Sequence, residues 1–431
     1  MHLDWQLALQ ILLVTTCICC GWSRGAAIAR GSYHPLNVVT VVHAWFSASP
    51  IVMEWIWGVP EYRIFVHLRA VNDSQVVWIA YYVFASLAGI AFALCARRFE
   101  RSIPGSATGA PKLAHFRANR RDRILMWVGL FLPVFCAFFS PDVRIWTNYP
   151  VLLELQPNAD FATFVNIIYS STYVALLSAC GLLLTAETGI ALGMPIGVLT
   201  FAAIWLNGKR NIVILAMILI ILTLRVKGAI SRSTTYVLFA ASLVAFFAYS
   251  QWYQAQYRPT LSFLDTSYEM ARMDFTRDSD IRMALYAELE ETAAPILDYR
   301  GQTLLFDALF FIPRTMWEDK PKPYYFYITS TALNGPRIYR SWGITTTLLS
   351  EAIANMGWLG MLCGPLALVV IASIGYSRSN PFLNVLTCVI CTLLMSVHLA
   401  GFYVLWSVWC AFVVSSVFAR ARTRMAQLAG A

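Results

Sequence analysis

The chain has 431 residues, of which 58% are hydrophobic and only 13% are charged. Soluble globular proteins carry about 25% charged residues, so this composition excludes an ordinary soluble protein and indicates a polytopic all-α membrane protein. Its long continuous apolar runs exclude a β-barrel, whose spanning strands are alternating segments of about 10 residues. The formal net charge is +9, and its placement favours cytoplasmic anchors of membrane helices over a nucleic-acid surface.

Eleven apolar segments, within a range of ten to twelve, are predicted to cross the membrane, because a spanning helix needs about 20 mainly apolar residues. Pro50 and Glu54 interrupt the second segment, so twelve helices with one split segment is the alternative. The first segment lacks the basic n-region and cleavage site of a signal peptide, so it is predicted to be retained. The segments are 5–22, 36–58, 75–96, 124–140, 163–185, 190–206, 210–225, 233–251, 346–376, 382–398 and 400–418.

Basic residues are concentrated in the loop 97–123 and at the C-terminal end, in Arg420, Arg422 and Arg424. Cytoplasmic loops of membrane proteins carry an excess of Lys and Arg. These two regions are therefore predicted to lie inside the cell, and the long stretch between the eighth and ninth segments is predicted to lie outside.

The chain is predicted to have three parts, of which the middle one is a large outer loop. At roughly 95 residues, this loop far exceeds the ordinary connection of about 4–6 residues. It contains twelve of the 23 acidic residues and also ten basic ones. A loop of this length with apolar stretches of its own is predicted to fold back onto the membrane helices as a lid or active-site loop. The parts are 1–251, membrane helices; 252–345, the loop; and 346–431, further membrane helices and a basic tail.

Three cations in the loop are candidates for binding phosphate. Arg314 follows Pro313 at the end of an apolar, aromatic stretch, which predicts a position near the membrane surface. A guanidinium there offers a planar fork of donors that matches phosphate oxygens. Lys320 and Lys322 each precede a proline and add point charges.

Aromatic residues accompany these cations. Trp317, Tyr324, Tyr325 and Tyr327 lie within the same stretch. Two interpretations stay open: they stack on sugar rings, or they form the aromatic belt found at membrane interfaces.

Two further groups of cations lie on the predicted outer side. Lys209 and Arg210 open a span on the predicted outer side, against the positive-inside tendency, so they either bind an anion or snorkel to the interface. Arg272, Arg277 and Arg282 recur among acidic residues, a pattern typical of a solvated, salt-bridged helix.

Glu351 and Asn355 lie four residues apart at the start of the predicted span 346–376, and so on one helical face. An ionisable residue entering a membrane is a functional candidate, and a capping or packing pair is the alternative. Asp278 and Asp280 form a three-residue pattern that is too short to predict a metal site, and the six histidines do not have metal-ligand spacing.

Small residues predict close contacts between helices. Gly189, Gly193 and Gly197 form one ladder at four-residue spacing, and Gly360 and Gly364 form another. All ten cysteines fall in apolar segments, so no disulfide framework is predicted for the outer loop.

Two motifs resemble those of a known family. The stretch F-F-I-P-R-T-M-W-E-D-K-P at 310–321 and the stretch L-L-S-E-A-I-A-N-M-G-W-L-G at 348–360 are similar to motifs of the Wzy-type O-antigen polymerases, or oligosaccharide repeat-unit polymerases. The N-G-K-R-N entry to the span at 210 is similar to a third family feature. The resemblance covers about sixty residues and implies a GT-C-like fold in the bacterial inner membrane.

This resemblance implies a glycosyltransferase that joins undecaprenyl-diphosphate-linked oligosaccharide units on the periplasmic side, without metal or other cofactor. Arg314 and Arg210 are then expected to bind the diphosphate with help from Lys320, and Glu351 to act as base or to orient the acceptor. The expected partners are the lipid-linked oligosaccharides, a chain-length regulator and a flippase, with no nucleic acid. The remaining expected substrate contacts are Trp317, Asn355 and Arg282.

Two other functions stay open. An O-antigen ligase shares the architecture but usually relies on a periplasmic histidine, and the predicted outer loop contains none. A transporter or flippase for the same lipid-linked units is typically built from inverted repeats, and no internal repeat is evident in the sequence.

Overall fold

The computed structural model describes residues 2–62, 65–101, 119–140, 143, 146, 159–185, 190–257, 268, 272, 276–291, 293–337, 343–377 and 380–429. Within these residues the regular structure is entirely helical, with no strand. The prediction of an all-α membrane protein is confirmed at this level. The helix count, the placement of the loop and the GT-C-like arrangement stay predictions.

Sixteen α-helices lie in the described residues. They are α1 (His2–Ala29), α2 (Pro35–Trp57), α3 (Val66–Asp73), α4 (Gln75–Arg101), α5 (Arg120–Phe138), α6 (Ala159–Leu184), α7 (Ile190–Asn207), α8 (Arg210–Lys227), α9 (Arg232–Tyr257), α10 (Asp278–Leu289), α11 (Gln302–Ala308), α12 (Tyr324–Ala332), α13 (Leu348–Met356), α14 (Trp358–Gly375), α15 (Pro381–Leu394) and α16 (Tyr403–Ala429).

Five of the described helices are long and apolar enough to cross a membrane. They comprise Trp5–Ala29, Pro35–Trp57, Gln75–Arg101, Ile167–Leu184 and Trp358–Gly375. Four more apolar helices of 10–17 residues lie within α7, α9, α15 and α16.

The second predicted segment is one continuous helix, with Pro50 inside α2. The second segment is therefore not split, and the alternative count of twelve helices stays a prediction. Neighbouring helices can satisfy the backbone groups that a proline frees in an apolar helix.

The predicted span 346–376 is wrong as a single helix. The chain breaks between α13 and α14 at Gly357, whose φ is +60°. A residue with a Cβ rarely adopts this conformation, so glycine permits the break. The segment that carries Glu351 is consequently a short helix of its own, separate from the apolar helix α14.

The chain divides into two compact units. The first contains residues 1–108, 260–374 and 391–401, and the second contains 109–259, 375–390 and 402–431. This division differs from the three sequential parts predicted above, which stay a prediction. In the second unit, α6 packs against α5, α7 and α8, and small residues such as Ala175 and Ala203 fill the buried core.

In the first unit, α1, α2 and α4 pack against one another, and α10 packs on α3, α4 and α13. The segment 276–356 lies at one end of this helix trio, where Ser74 before α4 donates to Glu290 and Tyr62 after α2 bonds Ser279 at 3.2 Å. At the other end, Arg24 near the end of α1 pairs with Glu100 near the end of α4 at 2.8 Å. The first unit therefore has one end covered by the polar segment and one end rich in arginine.

The two predicted glycine ladders differ. A Cβ at Gly360 would lie 2.1 Å from the Ala352 carbonyl oxygen, and one at Gly364 would lie 3.2 Å from the Ala352 Cβ, so this pair allows α14 to pack on α13. A Cβ at Gly193 or Gly197 would meet no described atom within 4 Å. The prediction of a helix contact is confirmed for Gly360 and Gly364 and is wrong for Gly193 and Gly197. Gly189 lies outside the described residues.

We expect Gly360→Ala to destabilise the protein by about 1–3 kcal/mol or more, because the new methyl group overlaps a backbone carbonyl that cannot move freely. Gly197→Ala is the matched control and should be neutral or slightly stabilising, since alanine favours helix. Thermal denaturation of the purified protein in detergent measures both. Equal melting temperatures for the two variants would contradict the close packing of α13 and α14.

Candidate functional site

Four charged side chains form a closed ion-pair cluster at the polar end of the first unit. Arg272 is 1% exposed and contacts both Glu54 and Asp278, with 2.8 Å between its Nη2 and the Asp278 Oδ2. Arg282 is also 1% exposed, and its nitrogens lie 3.1 Å from Asp278 Oδ2 and 3.5 Å from Glu54 Oε1. Two arginines and two carboxylates thus balance one another away from water. Buried charges require such pairing.

The sequence explains this cluster locally. Asp278 is the first residue of α10, where a carboxylate is favoured by the helix dipole. Arg282 follows one turn later on the same face, and its guanidinium lies 4.4 Å from the centroid of a Trp78 ring. Burial alone would raise the pKa of Asp278, but Arg272 and Arg282 hold that pKa well below its usual range.

The predicted solvated helix at Arg272, Arg277 and Arg282 is therefore wrong. The pairing is present, but Arg272 and Arg282 are buried, and Arg277 donates to the Ser396 carbonyl at 3.3 Å. Glu54 is a partner of the cluster rather than an interruption of a span. In this arrangement the charge of Arg282 is already matched by carboxylates, which does not favour its predicted contact with substrate.

Asp280 has a different role from Asp278 two residues earlier. Its carboxylate accepts from the Thr347 backbone N at 2.8 Å, from the Thr347 Oγ1 at 2.9 Å and from the Ser350 Oγ at 2.7 Å. These donors belong to the first turn of α13 and its N-cap. Asp280 consequently positions the helix that carries Glu351. Among the described residues, no three His, Cys, Asp or Glu side chains are grouped to hold a metal ion.

Glu351 and Asn355 meet at Thr303 of α11. The Thr303 Oγ1 donates to Glu351 Oε1 at 2.6 Å, and the Asn355 Nδ2 donates to that Thr303 Oγ1 at 2.7 Å. The Asn355 Oδ1 accepts from the Thr303 backbone N at 3.2 Å. The structure thus brings the two predicted residues together on one face of α13, in a buried polar contact with the preceding loop.

Asp307 is a further acidic residue at this position, and sequence reasoning missed it. Burial raises the pKa of Asp307, and the charge of Glu351 raises it further. Burial also raises the pKa of Glu351, against the hydrogen bond from Thr303. Two carboxyl groups that repel in this way bind one proton tightly. Asp307 is half-buried, whereas Glu351 is 3% exposed, so Asp307 is the more accessible member of the pair.

Residues 310–322 form a turn, here called the Arg314 turn, that carries the predicted cations and contacts α11 through Lys320. Arg314 donates to the carbonyls of Lys320 and Pro321 at 2.7 and 2.8 Å. Lys320 donates to the carbonyls of Phe310 and Ile312 at 2.7 and 2.8 Å. The two side chains predicted to bind phosphate therefore donate to backbone carbonyls of their own turn and stabilise it. Arg314 remains exposed at its surface, but Lys320 is buried.

The turn lies beside the acidic pair because α11 joins them. The Lys320 Nζ is 5.1 Å from the centroid of the Phe306 ring, and Phe306 immediately precedes Asp307. The pKa values of Lys320 and Lys322 are lowered, first by burial and then by the charge of Arg314. Lys320 thus contacts the same short helix, α11, that carries Asp307.

The aromatic residues of the turn have mixed placements. Tyr324 and Tyr327 are buried, and the Tyr327 hydroxyl accepts from Gln302 at 2.9 Å. Neither interpretation, sugar stacking nor an interfacial belt, holds for these two residues. Trp317 is half-buried, and its backbone N donates to the Arg314 carbonyl at 3.2 Å, which forms a tight turn.

Arg210 begins α8 in the second unit, and its side chain lies outside the described residues. The Nζ of its neighbour Lys209 lies 3.8 Å from the centroid of the Tyr169 ring. This cation–π contact already stabilises the charge of Lys209.

Two histidines lie in the polar end of the first unit although neither belongs to the predicted loop. The His398 ring lies 4.5 Å from the Tyr325 ring, and the His67 ring lies 5.4 Å from the Tyr286 ring. The predicted span 382–398 is too long, because α15 ends at Leu394. Searching the loop alone for histidine therefore missed both residues.

No protein-family model, curated protein or solved structure matches this chain.

We expect Arg272→Met to destabilise the protein by about 3–5 kcal/mol, because Glu54 and Asp278 would keep two buried negative charges against one arginine. Arg337→Met is the matched control. Its side chain is 35% exposed and pairs with the exposed Asp298, so its loss should cost about 0–1 kcal/mol. The melting temperatures of the purified variants measure the difference. A small effect at Arg272 would show that the cluster contributes little to stability.

Proposed function

We propose that this chain is a repeat-unit polymerase that joins undecaprenyl-diphosphate-linked oligosaccharides at the periplasmic face of a bacterial inner membrane. The observation that supports this proposal is that α11 carries Asp307, which interacts with Glu351, and is contacted by Lys320 of the Arg314 turn. Glycosyl transfer from a lipid diphosphate needs both kinds of group. The motif resemblances at 310–321 and 348–360 point to the same reaction.

The cations have a clear task in this reaction. The glycosidic carbon loses its bond to a diphosphate oxygen, which leaves with the electron pair and gains negative charge. Preorganised cations stabilise charge that develops in a transition state. The turn also contains Glu318 and Asp319, so binding depends on the positions of Arg314 and Lys322 rather than on net charge. An incoming diphosphate also relieves the repulsion among the cations.

The acidic pair supplies the base. The acceptor hydroxyl loses its proton to a carboxylate while its oxygen forms the new bond to the sugar carbon. With one proton shared between Asp307 and Glu351, one ionised carboxylate remains available near neutral pH, and a raised pKa makes it a better base. The Thr303 hydroxyl donates to Glu351 and favours its ionised form, which leaves the shared proton on Asp307. As the accessible member, Asp307 receives the acceptor proton while it passes the shared proton to Glu351. Asn355 positions Glu351 through Thr303.

The remaining roles follow from this assignment. Trp317 contacts the lipid-linked substrate outside the reacting centre, and Lys320 holds the turn that presents Arg314. Metal is not required in this scheme because cationic side chains neutralise the diphosphate. A chain-length regulator and a flippase are the proposed protein partners.

We expect Asp307→Asn and Arg314→Ala each to abolish polymer in a deletion strain that carries the variant gene. Single repeat units should then remain on the acceptor, as in the deletion strain itself. Asparagine keeps the shape of Asp307 but cannot accept the proton, and alanine removes the guanidinium. The glycan length profile on a gel measures the effect, and an immunoblot checks that the protein is present at normal level.

The matched controls are Glu318→Gln and Arg337→Ala, which remove exposed charges from the same segment and should leave the ladder intact. Arg314→Lys separates the charge of the side chain from its shape, because lysine keeps the charge but lacks the planar guanidinium fork. We expect partial polymer from this variant. A normal ladder from both Asp307→Asn and Glu351→Gln would refute the acidic pair as base.

An O-antigen ligase is the second candidate function, and the contact between His398 and Tyr325 favours it. A ligase moves finished glycan from its lipid carrier to an acceptor, with histidine as the expected base. Under the polymerase proposal, His398→Ala should leave the chain-length ladder unchanged. Accumulation of full-length polymer on the lipid carrier in this variant would favour the ligase instead.

A further inference from the structure

The arginine-rich end of the first unit contains a recess that the proposed reaction does not use. It lies between the C-terminal ends of α1 and α4, opposite the polar segment 276–356 in this unit. Its volume of about 610 Å³ falls within the range of small-molecule sites, about 300–1,000 Å³. The lining residues are Trp22, Ser23, Arg24, Ala26, Arg30, Arg97, Glu100 and Arg101.

One wall of the recess is held rigidly. Arg24 is 6% exposed, and its Nη1 donates to Glu100 Oε2 at 2.8 Å. The other carboxylate oxygen of Glu100 accepts from Asn37 at 2.9 Å and also from Ser32. The single carboxylate of the recess therefore binds Arg24, Ser32 and Asn37.

Three exposed arginines line the rest of the recess. Within the described part of the chain, no ion pair joins Arg30, Arg97 or Arg101 to a carboxylate. Arg97 and Arg101 are one helical turn apart on α4, and like charges at this spacing repel. An anion between them removes this repulsion.

The position of the recess suits a phosphate group. Trp22 at its rim is 80% exposed, and tryptophan is enriched at the level of lipid headgroups. Both α1 and α4 contain long apolar spans that end here. Basic pockets between membrane helices bind anionic lipid headgroups, and a guanidinium fork matches phosphate oxygens.

We propose that this recess binds a phosphate-bearing anion through Arg30, Arg97 and Arg101, with Arg24 as its fixed wall. The phosphate belongs either to an anionic lipid headgroup or to a free phosphate ion. This site is independent of the polymerase proposal and lies at the other end of the helices from Asp307.

Native mass spectrometry of the full-length purified protein tests lipid binding, with dioleoylphosphatidylglycerol and dioleoylphosphatidylcholine as probes. The test variant is the double substitution Arg30→Gln, Arg97→Gln. The matched control is Arg120→Gln, Arg121→Gln, which removes two exposed arginines at the start of α5. In parallel, the melting temperature of each protein is measured with and without inorganic phosphate.

We expect the wild-type protein and the control to bind phosphatidylglycerol in preference to phosphatidylcholine. The test variant should bind phosphatidylglycerol about thirtyfold more weakly, at roughly fivefold per arginine. A stabilisation by inorganic phosphate that the test variant loses, without a lipid preference, would identify a free phosphate as the ligand. Equal behaviour of the test variant and the control in both measurements would overturn the proposal.

Discussion

The burial of Arg272 between Glu54 and Asp278 is the interaction on which the first unit depends. Glu54 belongs to the apolar helix α2, and Asp278 is the first residue of α10 in the polar segment. The guanidinium of Arg272 therefore joins α2 to the polar segment. In a low-dielectric interior an unpaired charge is strongly unfavourable. Arg282 completes the balance of charge and packs its guanidinium on an aromatic ring. The polar segment therefore has one favourable position on the end of α2.

The candidate site follows from that position in two steps. Asp280, two residues beyond the ion-pair cluster, accepts hydrogen bonds from the start of α13 and so orients this helix. That helix then presents Glu351 to Thr303 and to Asp307 on α11. Lys320 of the Arg314 turn contacts Phe306 of α11. A buried ion-pair cluster, a helix cap and an acidic pair thus form one continuous chain of contacts.

Both ends of the helix trio in the first unit have chemistry suited to phosphate, but they achieve it differently. At the polar end the cations are few and hold backbone carbonyls, so they are preorganised beside carboxyl groups that can take a proton. At the other end three arginines are exposed, and the carboxylate of Glu100 accepts hydrogen bonds from Arg24, Ser32 and Asn37. The proposed reaction on a diphosphate uses the first arrangement, whereas the second is proposed for binding alone.

The sequence by itself determined the helical class, the approximate positions of most helices, the shared face of Glu351 and Asn355, and the close approach at Gly360. These features depend on local apolar composition and on the helical period, which a sequence displays directly. It could not identify the partners of Arg272, because Glu54 is 218 residues away. The pairing of Asp307 with Glu351, the break at Gly357 and the contact of His398 with Tyr325 were likewise decided by the tertiary structure. Burial and pairing between distant residues set the charge of each group, and neither leaves a local pattern in the chain.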